Sequence, residues 1–144
     1  MRVVRDCEMK KTTLLNRDLS AAVAGTGHTD LILVADAGHP MPRGVERIDL
    51  AVRPGLPRTI DVLEAMLTEL SVEAFYVSAE MELASPDLWG AYVSVLDPAE
   101  RRVIPHAEFK ELAASAKYAV RTGEYSPYAN LILVSGAGGI LRHR

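Results

Sequence analysis

Two short runs of this sequence are apolar at every position and are bounded by polar residues. One covers residues 31–35, between Asp30 and Asp36, and the other covers residues 131–134. An unbroken apolar run of strand length is typical of a strand whose two faces are both buried. These runs therefore predict a sheet with helices packed on both sides, and they restrict the chain to folds that supply such helices.

The rest of the chain alternates between helical and strand patterns. Apolar residues recur at helical spacing over residues 17–25 (with Asn16 as N-cap), 59–70, 86–96 and 107–116, and strands are predicted over 31–35, 47–52, 72–78, 102–105, 118–122 and 130–135. This alternation predicts an α/β fold, a single layered domain with a largely parallel sheet flanked by helices. The 144 residues suit one domain, and we expect residues 9–144 to form it after a polar N-terminal extension at 1–8.

Charge and cysteine content exclude several classes of protein. Sixteen Lys and Arg against nineteen Asp and Glu give a net charge of −3, the wrong sign for nucleic-acid binding. Cys7 is the single cysteine, so no internal disulfide forms and a reducing compartment is expected. No apolar segment approaches the roughly 20 residues of a membrane span, and the charged start has no signal-peptide pattern, so we expect a cytoplasmic protein. A mean hydropathy of +0.07 favours an oligomer that covers apolar surface.

Candidate functional residues occur where a predicted strand or helix meets a loop. They are His28, Asp36, His106 and the run Tyr128, Ala129 and Asn130. In open α/β sheets the crevice beyond the strand ends is the usual ligand site, so these side chains are candidates for one pocket. On an extended backbone Tyr128 and Asn130 would share a face and offer a hydroxyl and an amide, which suit a polyol.

Each candidate also has an ordinary structural interpretation. An imidazole titrates near neutral pH, which makes His28 the natural general acid, but a lone histidine more often caps a helix end or contacts a neighbour such as Asp30. Asp36 is equally consistent with a turn residue, and His106 with a helix cap. His39 lies in the proline- and glycine-rich loop at residues 37–44, and its role stays open.

Motifs for metal or covalent chemistry are missing from the sequence. The histidines have no HxH or HExxH spacing, so no metal site is predicted. The serines lack a nucleophile-elbow context, and Cys7 has no identifiable activating neighbour. Covalent catalysis therefore has no evident agent, and a metal site would require two distant histidines and Asp36 to meet in space.

Several motifs, taken together, resemble the D-ribose pyranase family, which also contains the fucose mutarotases. The similarity extends over about residues 9–138, with the motifs in the same order. The motifs are GHTD at 27–30, DAG at 36–38 with Pro40 and Pro42, RID at 47–49, RTGE at 121–124 and SPYANLIL at 126–133.

The resemblance implies a cofactor-free sugar mutarotase with an α/β fold that interconverts the β-pyranose and β-furanose forms of D-ribose. By position, His28 is similar to the family's proton donor, and its sugar-binding residues correspond to Asp36, His106, Tyr128, Ala129 and Asn130. The resemblance also implies a homo-oligomer, rings of five paired into a decamer, in which a neighbouring subunit completes each pocket. The alanine in the middle of the YAN triplet favours the ribose branch, since the fucose branch tends to have glycine there.

Three other functions remain open at this point. The same polar groups suit a non-catalytic module that binds a monosaccharide or regulates a transporter, and they suit a fucose-type mutarotase. An aldose–ketose isomerase is a further alternative, although it must move a proton at the sugar's C2.

The chemistry of ring opening agrees with the mutarotase interpretation. The reaction needs only a proton donor and hydrogen-bonding groups, and general acid–base catalysis raises a reaction rate by roughly 10²- to 10⁴-fold.

Overall fold

Residues 9–138 are described by the computed structural model, and they form a six-stranded sheet with five helices around it. The predicted extension at residues 1–8 lies outside the described residues, as do residues 139–144. In chain order the elements are α1 (Arg17–Ala24), β1 (Leu31–Ala35), β2 (Glu46–Asp49), α2 (Thr59–Leu67), β3 (Val72–Ser78), α3 (Met81–Ala84), α4 (Pro86–Leu96), β4 (Glu100–Ile104), α5 (His106–Ala113), β5 (Tyr118–Arg121) and β6 (Leu131–Ser135).

One strand of the sheet runs against the other five. The strands lie side by side in the order β2, β5, β1, β6, β3, β4. Neighbours are parallel at β2–β5, β5–β1 and β3–β4, whereas β6 pairs antiparallel with both β1 and β3. This arrangement confirms the predicted α/β fold with a largely parallel sheet flanked by helices, and it places the reversed strand in the middle.

Strand β1 is buried on both faces, as its unbroken apolar run predicts. Ile32 and Val34 face a core shared with α1, α2 and α4, whereas Leu33 and Ala35 face a second core that includes residues of α5. All four side chains are fully buried. Burying one Val, Leu or Ile side chain stabilises a fold by about 1.5–3 kcal/mol, so the two layers of helices are required by the strand they cover.

Most boundaries follow local sequence signals. Asn16 caps α1 as predicted, because its side-chain oxygen accepts a hydrogen bond from the Leu19 N–H at 2.9 Å. Helix α2 ends at Leu67 rather than at residue 70, although Leu70 still packs into the core. Its N–H donates to the Met66 carbonyl oxygen at 2.8 Å in the turn that follows the helix. The apolar spacing that predicted this helix therefore extends one turn beyond its end.

Other predicted boundaries shift by a few residues. The strand predicted over 47–52 is β2 at Glu46–Asp49, because Val52 turns back to pair with Leu56. Helix α5 begins at His106 and β4 starts two residues earlier than predicted. The short helix α3 was not predicted, since four residues are too few to show a helical period. None of the helices within residues 9–138 is long and apolar enough to cross a bilayer.

Candidate active site

A cavity of about 340 Å³ opens at the end of the sheet where β1 ends and β6 begins. Asp36 follows the last residue of β1, and Asn130 precedes the first residue of β6. Because the two strands pair antiparallel, with Val34 opposite Leu131, the end of one lies beside the start of the other. The lining residues are Asp36, Gly38, His39, Pro40, His106, Glu124, Tyr125, Ser126, Pro127, Tyr128 and Asn130.

Asp36 and Asn130 are locked together at the strand ends. The Asn130 side-chain oxygen accepts a hydrogen bond from the Asp36 N–H at 2.8 Å, and the Gly38 N–H donates to Asp36 Oδ1 at 3.0 Å. Burial raises the pKa of the Asp36 carboxyl above its usual value, while the N–H groups of Gly38 and His39 act in the opposite direction. A carboxylate and an amide in fixed positions are suited to recognising the hydroxyl groups of a ligand.

An aromatic cluster of His39, His106, Phe109 and Tyr128 lies on one side of the cavity. The His106 ring is edge-on to Tyr128, with centroids 5.1 Å apart, and nearly parallel to Phe109 at 6.3 Å. The His39 ring is edge-on to both His106 and Phe109, at 6.2 and 5.9 Å. Phe109 is fully buried, so it anchors both imidazoles to the core under α5.

His106 is the first residue of α5. Its N–H donates a hydrogen bond to Glu80 Oε1 at 3.2 Å, which ties the start of the helix to the turn after β3. Its Nδ1 is enclosed and has no hydrogen-bond partner among the residues that the structure describes. A buried polar atom without a partner is costly to the fold.

The segment before β6 does not have the extended backbone that was expected. Tyr128 has a φ of 54°, in the left-handed region that non-glycine residues seldom adopt. The prediction that an extended chain places Tyr128 and Asn130 on one face is therefore wrong in its geometry. Both side chains nevertheless line the cavity, because the turn at Tyr128 redirects the chain before β6 begins.

Ala129 lies behind the cavity and is fully buried, although sequence reasoning placed it with the binding residues. Its carbonyl oxygen accepts a hydrogen bond from the Tyr92 hydroxyl at 2.7 Å. The neighbouring Pro127 carbonyl accepts one from Ser85 Oγ at 2.6 Å. Ala129 thus contributes its backbone, which holds the residues on either side in place.

Glu124 is a buried carboxylate that sequence reasoning did not single out. Its Oε1 accepts hydrogen bonds from the Thr59 N–H at 3.0 Å and the Thr59 hydroxyl at 3.1 Å, at the start of α2. Its Oε2 accepts one from the Ser126 hydroxyl at 2.8 Å. Burial raises the pKa of this carboxyl, but the Ser126 and Thr59 donors outweigh burial and leave the pKa below its usual value. Glu124 therefore joins α2 to the loop that carries Tyr128.

Replacing Glu124 with glutamine is expected to destabilise the protein by about 1–3 kcal/mol at pH 7, because the amide leaves buried donors without an acceptor. Urea denaturation at fixed protein concentration measures this loss. Since the folded pKa of Glu124 lies below its ordinary value of 4.5, the contribution of the carboxylate is present above pH 4.5 and disappears at lower pH. The difference in the free energy of unfolding between the parent protein and Glu124→Gln should therefore shrink below pH 4.5.

The exposed Glu64 on α2 provides the matched control, and Glu64→Gln should change stability little. Equal stability of Glu124→Gln and the parent protein at pH 7 would contradict this role.

His28 does not line the cavity of its own chain. It precedes β1, whereas Asp36 follows β1, so the whole strand separates them. Its Nε2 lies 2.7 Å from Glu73 Oε1, and its side chain is 54% exposed. The structure thus brings four predicted residues together, Asp36, His106, Tyr128 and Asn130, and leaves His28 at the opposite end of the strand.

A metal site in a protein needs several His, Cys, Asp or Glu side chains close together. Within residues 9–138, no three His, Cys, Asp or Glu side chains are grouped so that they could hold a metal ion.

The fold and the cavity together define a class: mixed α/β proteins with a small pocket where the reversed central strand begins beside the end of β1. Residues 9–138 match the model of the RbsD / FucU transport protein family, and the chain belongs to that family. This confirms the resemblance that the sequence motifs indicated.

Individual proteins of this family are also similar to this chain. The D-ribose pyranases of Laribacter hongkongensis and Symbiobacterium thermophilum are each 49% identical to this chain over 128 residues, which are 89% of this chain and 98% of each relative. The structure of Bacillus subtilis RbsD complexed with D-ribose has a TM-score of 0.85 and 41% identity, and the match covers 89% of this chain and 98% of that one. The Streptococcus pneumoniae fucose mutarotase in complex with L-fucose has a TM-score of 0.71 at 24% identity, with the same coverage, and shows the same fold.

Proposed function

We propose that this protein is a cofactor-free D-ribose pyranase, an intramolecular isomerase that interconverts the β-pyranose and β-furanose forms of D-ribose. One observation carries the proposal. A cavity that gathers Asp36, His106, Tyr128 and Asn130 occurs in a chain that is 49% identical to curated D-ribose pyranases over nearly their whole length. The substrate is accordingly a free monosaccharide.

The reaction needs proton transfers only. Opening the pyranose breaks the bond between C1 and the ring oxygen O5, which takes up a proton, while the anomeric hydroxyl loses one and becomes the carbonyl of the open chain. Attack of O4 on C1 closes the furanose, with loss of the O4 proton and return of a proton to the anomeric oxygen. Atoms and electrons balance within the sugar. A positioned donor and hydrogen-bonding groups therefore suffice.

In this proposal the cavity side chains hold the sugar. The Asp36 carboxylate accepts hydrogen bonds from sugar hydroxyls, and the Asn130 amide lies beside it. His106 and Tyr128 form the aromatic side of the pocket. Ala129 acts through its backbone by fixing the spacing of Tyr128 and Asn130.

His28 is proposed as the proton donor, and it acts on the pocket of a neighbouring subunit. Two observations support this assignment. The His28 imidazole is half exposed at the end of β1 remote from its own cavity, and Glu73 holds it in one orientation. The single chain also exposes large apolar side chains, with Met9, Leu15, Val52 and Leu83 each at least 73% exposed, which favours burial between subunits. We propose a homo-oligomer, a decamer of two paired rings of five.

Ribose is favoured over fucose as the substrate. The ribose-bound relative has both the higher TM-score, 0.85 against 0.71, and the higher identity, 41% against 24%. The alanine at position 129 agrees with this preference, because it stands in the middle of the triplet that distinguished the two branches in the sequence.

The proposed location is the cytoplasm, and the proposed partners include neither nucleic acid nor a membrane. The single cysteine agrees with a reducing compartment such as the cytoplasm. The net charge of −3 has the wrong sign for binding the phosphates of a nucleic acid.

Two-dimensional exchange NMR on D-ribose tests the proposed function. With the protein present, exchange between pyranose and furanose signals should accelerate, with a catalytic contribution of about 10²- to 10⁴-fold at the bound sugar. Ribose binding detected by calorimetry, with exchange at the buffer rate, would instead identify a non-catalytic binding or transporter-regulating module. Deuterium entering C2 from heavy water would identify an aldose–ketose isomerase. L-Fucose in the same assay serves as the substrate control.

A further inference from the structure

His39 is a buried polar side chain in the cavity wall that the proposed mechanism does not use. The residue is only 7% exposed, yet it lines the cavity. Among residues 9–138, no group forms a hydrogen bond with either of its ring nitrogens. Neither nitrogen is enclosed as Nδ1 of His106 is, and the His39 side chain lines the cavity.

The position of the His39 ring is fixed by its neighbours. His106 and Phe109 both meet it edge-on, at interplanar angles of 85° and 86°. On the backbone side, the His39 N–H lies near enough to the Asp36 carboxyl to lower the pKa of that carboxyl. The ring is therefore held between α5 and the end of β1, and little conformational entropy remains to be lost when a ligand binds.

The environment keeps this imidazole neutral. Burial is the main cause that lowers the pKa of His39 to about 4, and the nearby His106 and Lys110 contribute in the same direction. A neutral imidazole has one N–H donor and one acceptor nitrogen. A sugar hydroxyl both donates and accepts, so it can satisfy either ring nitrogen.

We propose that His39 binds the monosaccharide directly, through a hydrogen bond from its uncharged imidazole to a sugar hydroxyl, and that it determines affinity and hydroxyl specificity. The inference rests on the proposed function for the class of ligand. It assigns a binding role, not proton transfer, because a neutral imidazole that resists protonation is a poor general acid at physiological pH. A hydrogen bond made equally to the bound sugar and to the transition state changes KM and leaves kcat largely as it was.

The test compares His39→Leu, which removes both nitrogens, with His39→Gln, which keeps a donor and an acceptor. For D-ribose, His39→Leu should raise KM by about 3- to 10-fold with kcat within about twofold of the parent, as the loss of one neutral hydrogen bond requires. His39→Gln should recover part of the affinity. Thermal denaturation of both variants shows whether the fold is retained.

Deoxy sugars show whether the contact is direct. The parent protein should bind one of 2-deoxy- and 3-deoxy-D-ribose more weakly than D-ribose, and His39→Leu should lose that discrimination. In the parent protein, addition of D-ribose should also shift the ring ¹⁵N resonances of His39, a readout that needs no variant.

An unchanged KM for His39→Leu in a folded protein, together with ring resonances that ignore D-ribose, would overturn the inference and leave His39 a packing residue. Failure of the proposed function is a separate result. If the parent protein does not accelerate ring exchange, calorimetric affinity for D-ribose still tests His39, and a weaker affinity in His39→Leu supports the binding role.

Discussion

Replacing His28 with alanine is expected to lower kcat for ring exchange by about 10²- to 10⁴-fold, the range that a positioned general acid supplies. KM should change much less, since the proposed sugar-binding residues Asp36 and Asn130 and the aromatic cluster are unaltered. Exchange NMR measures kcat, and calorimetry measures binding. His28 is half exposed, so the variant should fold normally. A His28→Ala protein that kept the full rate would exclude this residue as the proton donor.

Mixed oligomers show which subunit supplies the imidazole. His28→Ala and Asp36→Ala subunits each lack one part of the site, and each homo-oligomer should be nearly inactive. If the pocket combines His28 of one chain with Asp36 of its neighbour, random co-assembly in equal amounts restores about a quarter of the pockets. If His28 and Asp36 of one chain served the same pocket, co-assembly would restore none.

Stability should fall markedly as the pH drops from 6.5 to 4, and His39 is the expected cause. The folded state lowers the pKa of His39 from its ordinary 6.5 to about 4, so in this window the unfolded chain binds a proton that the folded chain rejects. The contribution of neutral His39 is thus complete above pH 6.5 and is lost toward pH 4. A shift of this size corresponds to about 3 kcal/mol.

Urea denaturation between pH 7 and pH 4 measures this effect, at constant protein concentration because subunit association also adds to stability. His39→Leu should have a flatter profile over the same range, since it has no imidazole to protonate. The decline caused by Glu124 begins only below its ordinary pKa of 4.5, so the two effects occupy different ranges. Parallel profiles for the parent protein and His39→Leu would show that His39 is not held neutral by the fold.

Elements with strong local signals were predicted well. Strand β1 and helix α4 have the predicted bounds, because an apolar run between two aspartates and a proline at the first helical position are local features. Features that depend on distant packing were not predicted. The reversed direction of β6 is one of these, since a buried parallel strand and a buried antiparallel strand have the same apolar sequence.

The site shows the same division between local and distant signals. Asp36 and Asn130 follow from their places at strand ends, and the family resemblance agrees with them. His39 was left without a role, because its burial depends on Phe109, which lies seventy positions further along the chain. Glu124 resembled an ordinary surface carboxylate until its contacts with Thr59 at the start of α2 were known. The prediction of one pocket grouped His28 with Asp36, although strand β1 separates the two residues within one chain.

The central position of β6 has a consequence for biosynthesis. This strand is the last one within residues 9–138, yet it separates two groups of strands, β2–β5–β1 on one side and β3–β4 on the other. Until it leaves the ribosome, β1 and β3 each present an unpaired edge to solvent, and such edges invite aggregation of the nascent chain. The pocket also has no Asn130 before that moment. The complete pocket and the protection of these strand edges are therefore both acquired only once β6 has emerged.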